Sequence, residues 1–148
     1  LPISLLDTTV AWLANQNANY LIGGQVPQCI GNEHPNVMPY QTFRTKDGNM
    51  IIATGNDGQY QRLCVAAGVP DAAHDPRFAT NALRIANREA CTNLLAAAFT
   101  HKTTREWIET LEKVNVPCGP INRLIEVYED PQILHRGLRI EVPHPRAG

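Results

Sequence analysis

At 148 residues the chain is long enough for one domain with a real core. Thirteen basic against fourteen acidic residues leave a net charge of −1, with no Lys/Arg-rich run, which excludes the electrostatic footprint of a nucleic-acid binder. A hydrophobic fraction of 43% is that of a globular protein, and no apolar run approaches the roughly 20 residues of a membrane span.

The chain opens on Leu1-Pro2-Ile3, without an initiator Met and without the basic segment or cleavage signature of a signal peptide. That start predicts a mature or trimmed piece of a longer protein. Residues 3–21 read as one helix. Leu6, Val10, Leu13 and Asn17 form its stripe, Ile3, Leu5, Thr9 and Trp12 flank it, and Pro2 suits a first-turn position. Gly23-Gly24 ends it, and Asp7 is read as structural. Residues 25–38 form a loop of the length usually reserved for function or mobility. Cys29 and His34 lie there without metal-ligand spacing, so no metal is expected.

Residues 31–60 are the densest part. Tyr40, Thr42 and Arg44 alternate with Gln41, Phe43 and Thr45, as the two faces of a strand do. Lys46-Asp47-Gly48-Asn49 supplies a turn, and Asp-Gly between two strand-like runs predicts type I′ geometry. Residues 50–54 return as a second strand. Asn56, with Gln59 three residues on, fits a capping box for a helix whose buried face is Tyr60, Leu63, Cys64 and Ala67. Gly68-Val69-Pro70 stops that helix.

Residues 71–84 read as irregular, with Phe78 anchored on the core. Residues 85–99 read as a helix with Cys91, Leu94, Leu95, Ala98 and Phe99 inward. Thr103 and Glu106 form a capping box for the next helix, whose apolar stripe is Trp107, Ile108, Leu111 and Val114. The two make an αα-hairpin. Residues 115–121 are bracketed by Pro117 and Pro120 and hold one path. Leu124, Ile125 and Val127 mark a short helix, and Asp130-Pro131 marks an N-cap with a first-turn proline. Residues 138–142 alternate as a candidate third antiparallel strand, and His144, Pro145 and Gly148 end the chain. The fold class is α+β: a mainly helical small domain over a two- or three-stranded antiparallel sheet, preceded by one helix.

Cys29, Cys64, Cys91 and Cys118 form no CxxC pair. Buried thiols in a reducing compartment are expected rather than a disulfide framework. Cys118 is read as structural, since no histidine lies near it in sequence.

The wording of residues 31–64, GNEHPNVMPYQTFRTKDG followed by IIATGNDGQYQRLC, resembles the family III CoA-transferases, also called the CaiB/BaiF family. The likeness continues through Asp75-Pro76-Arg77-Phe78, Asn81, Arg84, Asn87-Arg88, Glu106-Trp107, residues 116–121 and Asp130-Pro131-Gln132. These blocks are specific together and not singly. The resemblance implies transfer of CoA from an acyl-CoA to a carboxylic acid through an aspartyl intermediate. It places the nucleophilic aspartate upstream, in a large domain. Asp7 follows Leu6 and Asp57 follows Asn56, so neither has the Gly-Asp context of that nucleophile, and no catalytic residue is assigned.

The resemblance also implies that residues 1–23 belong to the large domain and its crossover, and residues 24–148 to the small domain. It implies an interlocked homodimer in the full-length protein. No permanent cofactor is expected, and the CoA thioester is a substrate. The cytoplasm is the expected location, or the mitochondrial matrix if a transit peptide was removed. One branch of the family carries a glycine run in the region of residues 25–38, and this chain has the position without the motif.

The candidate substrate-binding residues are His34, Asn36, Tyr40, Asn56 and Asp57, with Pro35 and Gly55 beside them. Three of them have a plainer reading: Asn56 as a helix cap, His34 as surface, Tyr40 as hairpin packing. Two alternatives stay open. A racemase of the same family needs an acid–base pair, and Asp57 stands about where that branch carries a glutamate. A non-catalytic interaction module would expose the apolar face of residues 3–21.

Overall fold

A computed structural model describes residues 3–143, in two compact units, one running to Gly31 and the other beginning at Asn32.

In the first unit the single predicted helix is two. Helix α1 spans Leu5–Ala11 and α2 spans Asn15–Leu21. Ser4 Oγ caps α1 by accepting from the Asp7 N–H, which gives Asp7 its structural place. The break falls where Ala14 takes φ 43° and ψ −116°, outside the helical region, which ends α-helical propagation. The Asn17 side-chain amide donates to the Val10 carbonyl at 2.8 Å, which also accepts from the Leu13 N–H at the break. All of α1 is exposed, including Leu6 and Val10.

The second unit is built on a three-stranded antiparallel sheet. β1 is Tyr40–Arg44, β2 is Asn49–Ala53 and β3 is Cys118–Pro120, in the order β1-β2-β3. Tyr40 faces Ala53 and Arg44 faces Asn49 across the hairpin. Side chains alternate as expected: Gln41, Phe43 and Thr45 are buried, and Tyr40 and Arg44 are exposed.

Two expectations about this sheet are corrected. Gly48 has no positive φ, so the turn is not type I′. Instead, Asp47 Oδ1 accepts from the Thr104 N–H at 2.8 Å and the Thr104 hydroxyl at 3.0 Å, tying the turn to a helix start. The third strand is not residues 138–142, which form no strand. The place beside β2 is taken by β3, with Met50 opposite Pro120 and Ile52 opposite Cys118. Proline is tolerated there because β3 is an edge strand. Arg139 and Glu141 instead pair with each other at 3.0 Å. His144, Pro145 and Gly148 lie outside the described residues.

Among the described residues, six helices follow the hairpin. α3 is Asp57–Ala66, α4 Asn81–Ala86, α5 Arg88–Phe99, α6 Thr104–Glu112, α7 Leu124–Glu129 and α8 Pro131–His135; a 3-10 turn covers Pro70–Ala73. The predicted helix over 85–99 is thus split at Asn87, and the segment read as irregular contains α4. Thr80 caps α4 by accepting from the Leu83 N–H. Thr103 and Glu106 form the predicted capping box of α6. Asp130 caps α8, accepting from the Gln132 and Ile133 N–H groups.

Phe43, Met50 and Ile52 from the sheet, Tyr60, Leu63 and Cys64 from α3, Cys91, Leu95 and Phe99 from α5, and Trp107 and Leu111 from α6 make one core with Phe78. Phe43, Phe99 and Trp107 form a chain of edge-on ring contacts, each 5.1 Å between centroids. Each such side chain stabilises by about 1.5–3 kcal/mol through burial alone. Among the cysteines, Cys64 and Cys91 are buried, Cys118 is half-buried, and Cys29 is exposed, against the expectation of buried thiols.

Candidate functional site

The five candidate residues lie on two neighbouring loops of the second unit. His34, Asn36 and Tyr40 come from the loop before β1 and from its first residue. Asn56 and Asp57 come from the junction of β2 and α3. The loops meet at Pro39, whose carbonyl accepts from the Thr54 N–H at 3.0 Å and from its hydroxyl at 2.8 Å.

The first loop is tightly held. The His34 and Tyr40 rings stack at 5.1 Å with 17° between planes. The His34 N–H donates to the Tyr40 carbonyl at 2.9 Å, and His34 Nδ1 accepts from the Asn36 N–H at 3.1 Å. Asn56 is a helix cap, accepting from the Gln59 N–H. Gln59 Oε1 turns to the Gly55 N–H rather than to Asn56, so the predicted reciprocal box is only half made.

Sequence reasoning missed the residues that join the loops. Arg84 is 1% exposed. Its Nε donates to the Met38 carbonyl at 2.7 Å, its Nη1 to the Phe78 carbonyl at 2.9 Å, and its Nη2 to Asp57 Oδ1 at 2.7 Å. The guanidinium also lies 4.4 Å from the Tyr60 ring centroid. Four residues on, past the break at Asn87, Arg88 Nη2 donates to the His34 and Pro35 carbonyls at 3.0 and 3.1 Å, and its Nη1 pairs with Glu33. The Asn81 side chain accepts from the Met38 N–H and donates to the Asn36 carbonyl. Asn81, Arg84 and Arg88 thus hold most of the backbone between residues 34 and 38. The signal for them was present: an arginine inside an apolar pattern needs partners once buried.

Burial pushes the Tyr60 phenol well above its ordinary range, with the Cys64 hydrogen bond adding to it. It stays protonated beneath Arg84, its hydroxyl donating to the Ala72 carbonyl. Chemically, the two loops present a histidine ring, a tyrosine and an Asn-Asp helix start on a braced surface. One Asp57 oxygen is occupied by Arg84. Among the described residues, no group of three or more His, Cys, Asp and Glu side chains could hold a metal ion. No described helix is long and apolar enough to cross a membrane.

The chain belongs to CoA-transferase family III, whose family model matches residues 1–148. Among its relatives, a succinate–glutarate CoA-transferase of Agrobacterium fabrum is 43% identical over 140 residues, covering 95% of this chain and 35% of the relative. The succinyl-CoA:glutarate CoA-transferase of Mus musculus is 39% identical over 145 residues, covering 98% and 33%. A crystal structure of a CaiB/BaiF family protein from Brucella suis superposes with a TM-score of 0.79 at 45% identity, covering 93% of this chain and 36% of that one. The α+β architecture is therefore that of this family, and the chain spans about a third of the length of the curated relatives it matches.

Proposed function

We propose that this chain is the small-domain part of an enzyme that moves CoA from an acyl-CoA to a carboxylic acid, with a dicarboxylate such as succinate or glutarate as the acid. The observation that carries this is the 43% identity to a succinate–glutarate CoA-transferase over 140 residues, combined with coverage of 35% of that relative. Residues 24–148 form the small domain in this reading, and residues 1–23 belong to the large one.

In this reading an aspartate outside these residues attacks the thioester carbonyl and releases CoA as thiolate. The mixed anhydride is opened at its aspartyl carbonyl by that thiolate, freeing the donor acid and leaving an aspartyl-CoA thioester. The acceptor carboxylate then displaces CoA to give a second anhydride, and CoA attacks its acyl carbonyl, releasing the new acyl-CoA and the aspartate. The 148 residues alone are inactive in this account, and the full-length protein is a homodimer. CoA thioester is substrate, with no resident cofactor, and the compartment is cytoplasmic or mitochondrial. His34, Asn36, Tyr40, Asn56 and Asp57 face the substrate from the small-domain side. The occupation of Asp57 by Arg84 favours transferase over racemase, since a carboxylate already engaged by a buried guanidinium is a poor proton shuttle.

The test is CoA exchange followed by mass spectrometry, with succinyl-CoA and a panel of carboxylic acids. The full-length protein forms new acyl-CoA and an aspartyl adduct, and the 148-residue chain forms neither. Turnover by the short chain, with an adduct on Asp7 or Asp57, sinks the small-domain account. Absence of turnover in the full-length protein sinks the transferase reading.

A further inference from the structure

His34 is fixed by three separate constraints. Its ring stacks on Tyr40, its N–H donates to the Tyr40 carbonyl, and its own carbonyl accepts from Arg88. A fourth contact sets its chemistry. Nδ1 accepts from the Asn36 N–H, so Nδ1 carries no proton, and the single proton of the neutral ring sits on Nε2. Nε2 meets no hydrogen-bond partner among the described residues. The ring is half-buried. The result is a fixed ring whose Nε2–H has no partner among the described residues.

We infer that the His34 Nε2–H receives a carboxylate oxygen of the acid acceptor, with Arg84 and Arg88 as positioning residues for its loop. This rests on the transferase reading. A carboxylate is acceptor-only and suits a lone donor. A neutral donor orients the acid without cancelling its charge, leaving the carboxylate able to attack the aspartyl thioester. The stack on Tyr40 keeps the ring from turning away, so little ordering is needed when the acid arrives.

The experiment uses the full-length protein with succinyl-CoA and the acid it uses best. His34→Phe keeps a flat ring for the stack and removes the donor. His34→Gln places an amide N–H near the position of Nε2. The expected result for His34→Phe is an acid KM raised about tenfold or more, as for one lost hydrogen bond to a charged group, with the succinyl-CoA KM unchanged. His34→Gln recovers most of the loss. A rise in the succinyl-CoA KM instead, a rise in both, no rise, or a glutamine variant no better than phenylalanine overturns the inference. Side-chain nitrogen NMR of the wild-type 148-residue chain gives a readout independent of activity: the Nε2–H tautomer is expected, and Nδ1–H overturns the assignment. Wild-type protein without turnover on any acid removes the transferase reading and this inference with it. Wild-type turnover with an unmoved acid KM in His34→Phe removes the inference alone.

Discussion

Arg84 and Asp57, 27 residues apart in sequence, meet at 2.7 Å across the boundary between core and surface. The arginine side chain is 1% exposed and the aspartate 49%. The two ends of this pair therefore carry unequal weight. Removing the aspartate leaves a buried guanidinium that keeps two carbonyl acceptors and the Tyr60 ring. Removing the arginine strands the Met38 and Phe78 carbonyls and takes one of the three braces, with Asn81 and Arg88, from the loop that carries His34. Arg84→Met is expected to cost about 2–4 kcal/mol and Asp57→Asn about 1–2 kcal/mol. Urea unfolding of both variants and the double variant checks the ordering, and an Asp57→Asn loss equal to that of Arg84→Met would contradict it.

Trp107 closes the core from the side of α6, its ring N–H donating to the Phe99 carbonyl at 2.7 Å. Trp107→Leu gives up ring volume and leaves that carbonyl unpaired, for an expected loss of about 3–5 kcal/mol. The chain's other tryptophan, Trp12, is 82% exposed against 2% for Trp107. Emission from Trp12→Phe protein should therefore be blue-shifted when folded and move to the red on unfolding. Emission from Trp107→Leu should change little.

The turn at Asp47 predicts an acid limb in stability. The Thr104 N–H, helped by the Thr104 and Thr45 hydroxyls, holds the Asp47 carboxyl below its ordinary 3.8. The Thr103 N–H does the same for Glu106, below its ordinary 4.5. Such carboxylates bind fewer protons folded than unfolded. Their stabilisation is complete above the ordinary values and is lost as pH falls through the depressed ones. Melting temperatures taken from about pH 7 to about pH 3 should fall less steeply for Asp47→Asn than for wild type. An unchanged slope would mean the turn carboxylate is not linked to folding.

The cysteines should separate by reactivity. Burial pushes the Cys91 thiol up to about 11 and raises Cys64 as well, so little thiolate forms at either. Burial and then Glu112 raise Cys118, which is half-buried in β3. In a native thiol titration Cys29 should react first, Cys118 slowly, and Cys64 and Cys91 only with denaturant. Early labelling of Cys91 would show that the core opens near Tyr60.

What the sequence disclosed follows from the range of each signal. The hairpin was readable because alternation and burial coincide at Gln41, Phe43, Met50 and Ile52. The caps at Thr103 and Asp130 were readable because a cap acts within three residues. The break in the first helix was not, since Ala14 is an ordinary helix former and its φ of 43° is set by no local signal. The third strand was misread because alternation in Leu138, Ile140 and Val142 says nothing about a free place beside β2. The candidate residues were recognisable as two loops. Their closeness was not, because it depends on Arg84 and Arg88, whose partners in the two loops lie 27 to 55 residues away along the chain.

The loop before β1 has a second consequence. β1 is an outer strand of the sheet, with a row of amide and carbonyl groups turned away from β2. The Thr42 N–H donates to Asn32 Oδ1 at 3.1 Å, and the Tyr40 carbonyl accepts from the His34 N–H at 2.9 Å. The segment that shapes the candidate site thus also shields that edge from pairing with a foreign strand. A change at Asn32, whose side chain supplies the acceptor, would bare part of a β-template, so a variant there can turn adhesive, and solubility has to be followed alongside activity.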